Sequence, residues 1–322
     1  MTEIAILDPD LPIIDTHHHF FTSNHWHPTG ARYMLDEYVA DLDCGHNILS
    51  TVFVECSQAY RLTGPDHLRT RGEVELAATL GRLSDTGDYG SERVCEGIVG
   101  RAELADGAAV ERELDALVDA GDGRLKSIRR PLVWHPESQV NHSFRPFAPK
   151  GLMQDGKFRE GLSRLASYDL AFDASIFYPQ MAELVDLAGA VPEATIVLNH
   201  CGGLSGVDPF DNWRSEIVSL AALPNVYVKL GGIANSRVGL PSNAVGVQTL
   251  ETLVTAWSPY IETCISAFGA ERCMFESNFP VDQKVTTYGG IWNVFKTIVA
   301  GASDTEKTAL FSGTARHVYK MK

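Results

Sequence analysis

The chain has 322 residues, 44% hydrophobic and 21% charged, a balance that folds around a core and argues against a disordered chain. Acidic residues outnumber basic ones, 41 to 27, so the formal charge is −14. That excess opposes loose attachment to a nucleic-acid backbone but leaves room for a locally basic pocket holding an anionic small molecule.

Residues 11–19 read as a strand, Leu11-Pro-Ile-Ile-Asp-Thr-His-His-His19. Apolar positions run straight into an aspartate and three histidines. In extended backbone, His17 and His19 face one side and His18 the other. The pair suits metal or substrate binding at the mouth of a sheet. The plainer alternative is a histidine-rich turn, since His25 and His27 follow closely. Residues 20–33, with Pro28 and Gly30, read as a long loop, and 34–40 as the start of a helix.

Residues 48–56 are β-branched and aromatic and form the second predicted strand, which ends at Glu55. A helical apolar stripe follows over 66–80, through Leu68, Val74, Leu76, Ala77 and Leu80. The third strand is 94–100 and the next helix 108–118. The fourth strand, 124–129, delivers Arg129 and Arg130 to its end. Residues 131–157 lack periodicity and read as an insertion loop holding Trp134, His135, His142 and Arg145.

Strands at 170–175, 194–200, 225–231 and 272–278 complete the set. Helices are expected at 158–168, 179–188 and 211–220, and at 247–268 with a break near Pro259. The last two are expected at 290–299 and 305–318. A second long connection runs to about Gly246. Eight short apolar strands alternating with helices predict a (β/α)8 barrel, distorted by insertions after strands 1, 4 and 7. A doubly wound open sheet is the alternative, and it lacks a GxGxxG after an early strand. Gly202-Gly203 and Gly231-Gly232 read as turn residues. No repeat or linker divides the chain, so one barrel domain over 1–322 is expected.

The six cysteines are scattered and form no CxxC, which argues against a disulfide framework or thiolate zinc site. No signal pattern or membrane-length apolar run is present, so a cytoplasmic protein is the expectation.

Barrel chemistry sits at the C-terminal ends of the strands. Those ends hold His17 and His19, Glu55, Arg129 and Arg130, Asp173, His200, Lys229, Glu276 and Asn278. Each also has a plainer reading. Glu55 could hold a loop, Asp173 orient a histidine, and Lys229 snorkel from the mouth. His17, His19 and His200 can converge from separate strands, and imidazole nitrogens suit a zinc that leaves a position open for water.

The chain resembles the amidohydrolase superfamily, in the branch that contains sugar-lactonase-like and dicarboxylate-lactonase-like enzymes. The resemblance rests on Asp15-Thr-His-His-His19, Leu198-Asn-His-Cys-Gly-Gly203, Asn225-Val-Tyr-Val-Lys-Leu-Gly-Gly232 and Met274-Phe-Glu-Ser-Asn-Phe-Pro280. It implies a distorted (β/α)8 barrel that hydrolyses a lactone, ester or amide, or a related decarboxylase. His17 and His19 match the first-strand pair and His200 a later-strand histidine. A divalent zinc or manganese on these three is implied for some members and dispensable for others. Arg129 and Arg130 lie where related lactonases meet a substrate carboxylate, with Arg61 and His135 as further contacts. A homodimer is also implied.

One departure stands out. Related chains carry aspartate on the last strand, and this one reads Ser277-Asn278-Phe279-Pro280. Asparagine is no general base. Either Asp282 reaches back over the turn, or Glu276 serves from deeper in the barrel, or the protein binds a small molecule without hydrolysing it.

Overall fold

The computed structural model describes residues 5–23, 31–136, 148–204, 209–234 and 246–322. His25, Trp26 and His27 of the first loop, His142 and Arg145 of the second, and most of the connection after the seventh strand lie outside them.

All eight predicted strands form, in one parallel sheet of sequential order: β1 (Ile13–His18), β2 (Ile48–Val54), β3 (Arg93–Gly100), β4 (Leu125–Arg129), β5 (Ala171–Ala174), β6 (Ile196–Leu198), β7 (Val226–Leu230) and β8 (Cys273–Phe275). Strand ends are shorter than predicted at β6 and β8, because the polar residues beyond them leave the ladder to build the mouth. The sheet closes where the chain after β8 meets β1. His18 bridges Phe279, the His19 amide donates to the Phe279 carbonyl, and the Asn278 amide donates to the His17 carbonyl. This is the (β/α)8 barrel expected from the alternating elements.

The helices that cover the sheet are α1 (Leu35–Leu42), α2 (Arg71–Ser84), α3 (Glu111–Gly121), α4 (Gly156–Ser167), α5 (Met181–Ala190), α6 (Phe210–Ala221), α7 (Leu250–Phe268), α8 (Tyr288–Ile298), α9 (Asp304–Thr308) and α10 (Thr314–Tyr319). The expected break at Pro259 does not occur, since α7 runs through it. Proline removes one backbone donor. Trp257, Ile261, Cys264 and Phe268 are buried along one face and hold the helix together across that gap. The predicted final helix splits into α9, a π-helical turn over Ala309–Gly313, and α10.

The barrel interior is layered. Inside the barrel, Ile14, Val52, Val54, Val99, Ala171, Val197 and Met274 cluster with Ala315, Val318, Tyr319 and Met321, so the segment from α10 to Met321 plugs the barrel. Above the plug lies a polar layer around Asp173 and Lys229, both fully buried. The strand exits lie above that. No helix among the described residues is long and apolar enough to cross a membrane.

Candidate active site

The register of β1 shifts between Asp15 and His18, and beyond that shift the three histidines alternate as predicted. His17 faces inward and its Nε2 lies 3.2 Å from the Nε2 of His19. His19 is fixed by a 2.7 Å contact between Nδ1 and the Val54 carbonyl, which places the proton on Nδ1 and leaves Nε2 a bare lone pair. His18 points the other way, as its position requires. It stacks on Tyr38 at 4.2 Å, and its Nε2 lies 2.9 Å from the Thr51 hydroxyl.

Glu276 ties the strands together. Its Oε1 accepts from His200 Nδ1 at 2.8 Å and from the His200 amide at 3.1 Å. Its Oε2 lies 2.7 Å from His17 Nδ1, an ion-pair distance without hydrogen-bond alignment, so both atoms keep unfilled capacity. The His17 and His200 rings stand 4.6 Å apart. Burial holds His17 and His19 well below the ordinary imidazole range, and neighbouring Lys229, His200 and Arg129 push His17 the same way. Neutral rings are what metal ligation or proton acceptance requires.

His17, His200 and Glu276 each offer a donor atom within 4.8 Å of the others. Two imidazole nitrogens on one tetrahedral zinc would stand about 3.3 Å apart, close to the His17–His19 separation. The Nδ1 atoms of His19 and His200 are held by a carbonyl and a carboxylate, the support that orients metal-binding imidazoles. The donor set therefore fits a divalent ion. It differs from the expected trio, because Glu276 joins His17 and His200 in the cluster while His19 adjoins through His17.

Arg129 closes the other side. Nε donates to Glu55 Oε1 at 2.7 Å, Nη2 donates to the Glu55 carbonyl, and Nη1 lies 3.4 Å from His17 Nε2. His19, His200 and Arg129 keep a small solvent exposure. The structure thus brings together His17, His19, His200, Glu276, Glu55 and Arg129.

Asn278 and Asp282 are adjoining. Asn278 sits at a φ of 54°, in the left-handed region, and its Nδ2 donates to Asp282 Oδ1 at 2.8 Å. Asp282 does reach back over the turn, as one of the three sequence alternatives required. Its Oδ2 is buried and unpartnered. Burial pushes its carboxyl well up, opposed by the Asn278 bond and reinforced by Glu276. Glu276 Oε1 is committed to His200, while Glu276 Oε2 and Asp282 Oδ2 are both buried without an aligned hydrogen bond.

Four expectations are corrected by position. Arg130 points to the opposite face from Arg129 and pairs with Glu103 at 3.0 Å. Arg61 pairs with Glu75 at 2.5 Å, on half-exposed surface. Lys229 does not snorkel. Its Nζ donates to the Thr16 carbonyl at 2.7 Å and to Asp173 Oδ2 at 2.8 Å, inside the barrel. Asp173 also accepts from Ser127, Asn199 and Tyr319, so it organises the layer beneath the site and does not face the mouth. Burial would raise its carboxyl, but Lys229 and these hydrogen bonds outweigh that and hold it low. His135 is buried edge-on against Phe177, with ring centroids 5.5 Å apart.

Sequence reasoning assigned no role to Asp15. It accepts from Tyr38, Tyr288 and the Ser277 hydroxyl at 2.6–3.0 Å and so locks β1 to the chain after β8. Its place two residues before His17 was the available signal, but a register shift between Asp15 and His18 turns Asp15 outward toward Tyr38 and Tyr288, away from His17. Gly231 and Gly232 also exceed their expected turn role. A Cβ on Gly232 would overlap the His200 ring, and one on Gly231 would overlap the Glu276 backbone.

Residues 14–321 match the family described as Amidohydrolase, and the chain belongs to that family. It is 28% identical to an uncharacterized protein of Sinorhizobium fredii over the full length of both. It is 29% identical to an L-fucono-1,5-lactonase of Burkholderia multivorans over 53% of this chain and 58% of that one. The fold superposes on an amidohydrolase of Burkholderia multivorans solved with bound zinc. The TM-score is 0.73 at 20% identity, covering 96% of this chain and 99% of the other, a likeness of fold. Together these support an enzyme of the hydrolase kind.

Proposed function

We propose that the protein hydrolyses a lactone or related cyclic ester that carries a carboxylate. The observation that carries this reading is the meeting of His17, His19 and His200 with Arg129 at one set of strand exits. The partial likeness to a lactonase supports it.

Glu55 takes the Nε and Nη2 positions of the Arg129 guanidinium, and Nη1, which lies 3.4 Å from His17 Nε2, is the donor we assign to a substrate carboxylate or a developing oxyanion. His19 and His200 have their Nδ1 atoms engaged and present Nε2 to the substrate side. A divalent zinc or manganese, held by His17, His200 and Glu276 with His19 adjoining, would supply Lewis-acid polarisation of the carbonyl when bound. Asp282 is the group we assign to proton transfer. Ionised, it takes a proton from the attacking water. The water oxygen bonds to the carbonyl carbon, the ring C–O bond breaks, and the proton passes to the leaving alkoxide. A carboxyl pushed up by burial suits both halves of that exchange.

The test is a panel of sugar lactones and pyrone-type lactones, with and without added zinc or manganese. Ring opening to the hydroxy acid is expected. Carbon dioxide as product would replace this reading with a decarboxylase. Tight retention of a lactone without turnover would favour the non-catalytic binder that Asn278 suggests.

A further inference from the structure

Beside the histidine site, the mouth carries a second recess of about 480 Å³, between the loop after β2 and the segment after β3. Tyr60 and Arg101 line its less exposed side, and Arg69 and Arg112 lie at its edge. Arg101 is half-buried. Among the described residues it forms no ion pair. The carboxylates that act on it are Glu55 and Glu103. Both are already taken, Glu55 by Arg129 at 2.7 Å and Glu103 by Arg130 at 3.0 Å.

The remaining acids in the recess are also occupied or exposed. Glu113 accepts from the Thr70 hydroxyl and the Glu103 amide, each at 2.9 Å. Asp106 faces Arg112 at 4.0 Å, and Asp66 stays in solvent. The Tyr60 hydroxyl is buried without an aligned hydrogen bond, next to Ser57 and Arg101. A partly desolvated guanidinium without an ion pair and a phenol without an aligned hydrogen bond, lining one cavity, suit an acceptor-rich anion.

We propose that this recess binds an oxyanion, a carboxylate or phosphate group, through the Arg101 guanidinium and the Tyr60 hydroxyl. Glu55 adjoins both sites, because it holds Arg129 on one side and acts on Arg101 on the other. The anion is therefore either the distal acidic group of the molecule at the histidines or a separate ion beside it.

Calorimetric titration of the full chain with inorganic phosphate and with succinate tests the site without relying on turnover. Arg101→Met should weaken binding about tenfold or more, and the double variant Arg129→Met with Glu55→Gln, which removes the histidine-site cation without freeing a carboxylate for Arg101, should leave phosphate binding nearly unchanged. Arg101→Lys should retain part of it. Equal binding in wild type and Arg101→Met, no binding in wild type, or a loss that follows the double variant instead would each overturn the proposal. If Arg101→Met fails to fold by circular dichroism, Tyr60→Phe decides. It should weaken phosphate by about threefold, and unchanged affinity would overturn the proposal. KM measured for lactones with and without a distal acidic group separates the two sources. A rise in Arg101→Met confined to acid-bearing lactones assigns the substrate's own group. No rise for either assigns a separate ion. Failure of every lactone to turn over would remove the hydrolase reading and leave the phosphate titration standing.

Discussion

Arg129 and Arg130 are neighbours in sequence with opposite fates. Strand alternation turns one side chain into the barrel mouth and the other to Glu103. Glu55 then fixes the Arg129 guanidinium as a rigid planar donor. On the hydrolase reading, Arg129→Met should raise KM for a carboxylate-bearing lactone by about 10-fold to 100-fold and affect a neutral lactone little. Arg129→Lys should recover only part, because a point charge does not reproduce the fork held by Glu55. Steady-state kinetics on a matched pair of lactones reads this out. Equal KM changes for both would mean that Arg129 does not recognise the carboxylate. Asp282 belongs to the same scale. Its role was one of several sequence alternatives, because it stands four positions beyond Asn278 across a turn, and only the backbone path shows that their side chains meet.

At the scale of elements, the strand exits hold the histidines through unusual backbone. His200 and Cys201 adopt φ values of 55° and 50°, and Gly232 after β7 adopts 63°. Glycine at 232 answers both the left-handed conformation and the ring of His200 pressed against it. Gly232→Ala is therefore expected to displace His200 from Glu276 and lower kcat by at least about 100-fold. The fold should survive, with a loss of about 1–3 kcal/mol. Activity assays beside denaturant unfolding check this. An alanine variant with full activity would show that the His200 position does not matter to the reaction. The continuous α7 teaches the converse lesson. Pro259 argued for a break on local grounds, and a buried stripe of Trp257, Ile261, Cys264 and Phe268 outweighed it.

For the molecule as a whole, burial of neutral histidines links folding to pH. Burial lowers His18 from its ordinary value of 6.5 to about 3. The unfolded chain therefore binds a proton at His18 that the folded chain refuses. Its contribution to stability is present above pH 6.5 and is lost progressively as pH falls from there toward 3. Glu73 has the opposite sign. Burial and the nearby Glu55 raise it from 4.5 to about 8, so its contribution is lost as pH rises through that window. Comparing variants therefore separates the two effects better than the wild-type curve does. His18→Gln should show a shallower fall in thermal midpoint between pH 6.5 and 4 than wild type, whatever its midpoint at neutral pH. Parallel curves would place the His18 ring in solvent in the folded protein.

The sequence by itself determined the barrel, the strand exits and the side on which His17, His19 and Arg129 emerge. Those follow from local periodicity, which needs no knowledge of distant residues. Only the tertiary structure decided which exit groups meet. Glu276 was read as a candidate base and instead spans two imidazoles. Asp173 and Lys229 were read at the mouth and instead neutralise one another a layer below it. The reason is that side-chain partnering depends on depth within the barrel and on strands far apart in the chain. A residue of pattern up or down, or of register, moves a charged group from the solvent-facing rim to the interior, where only an opposite charge can hold it.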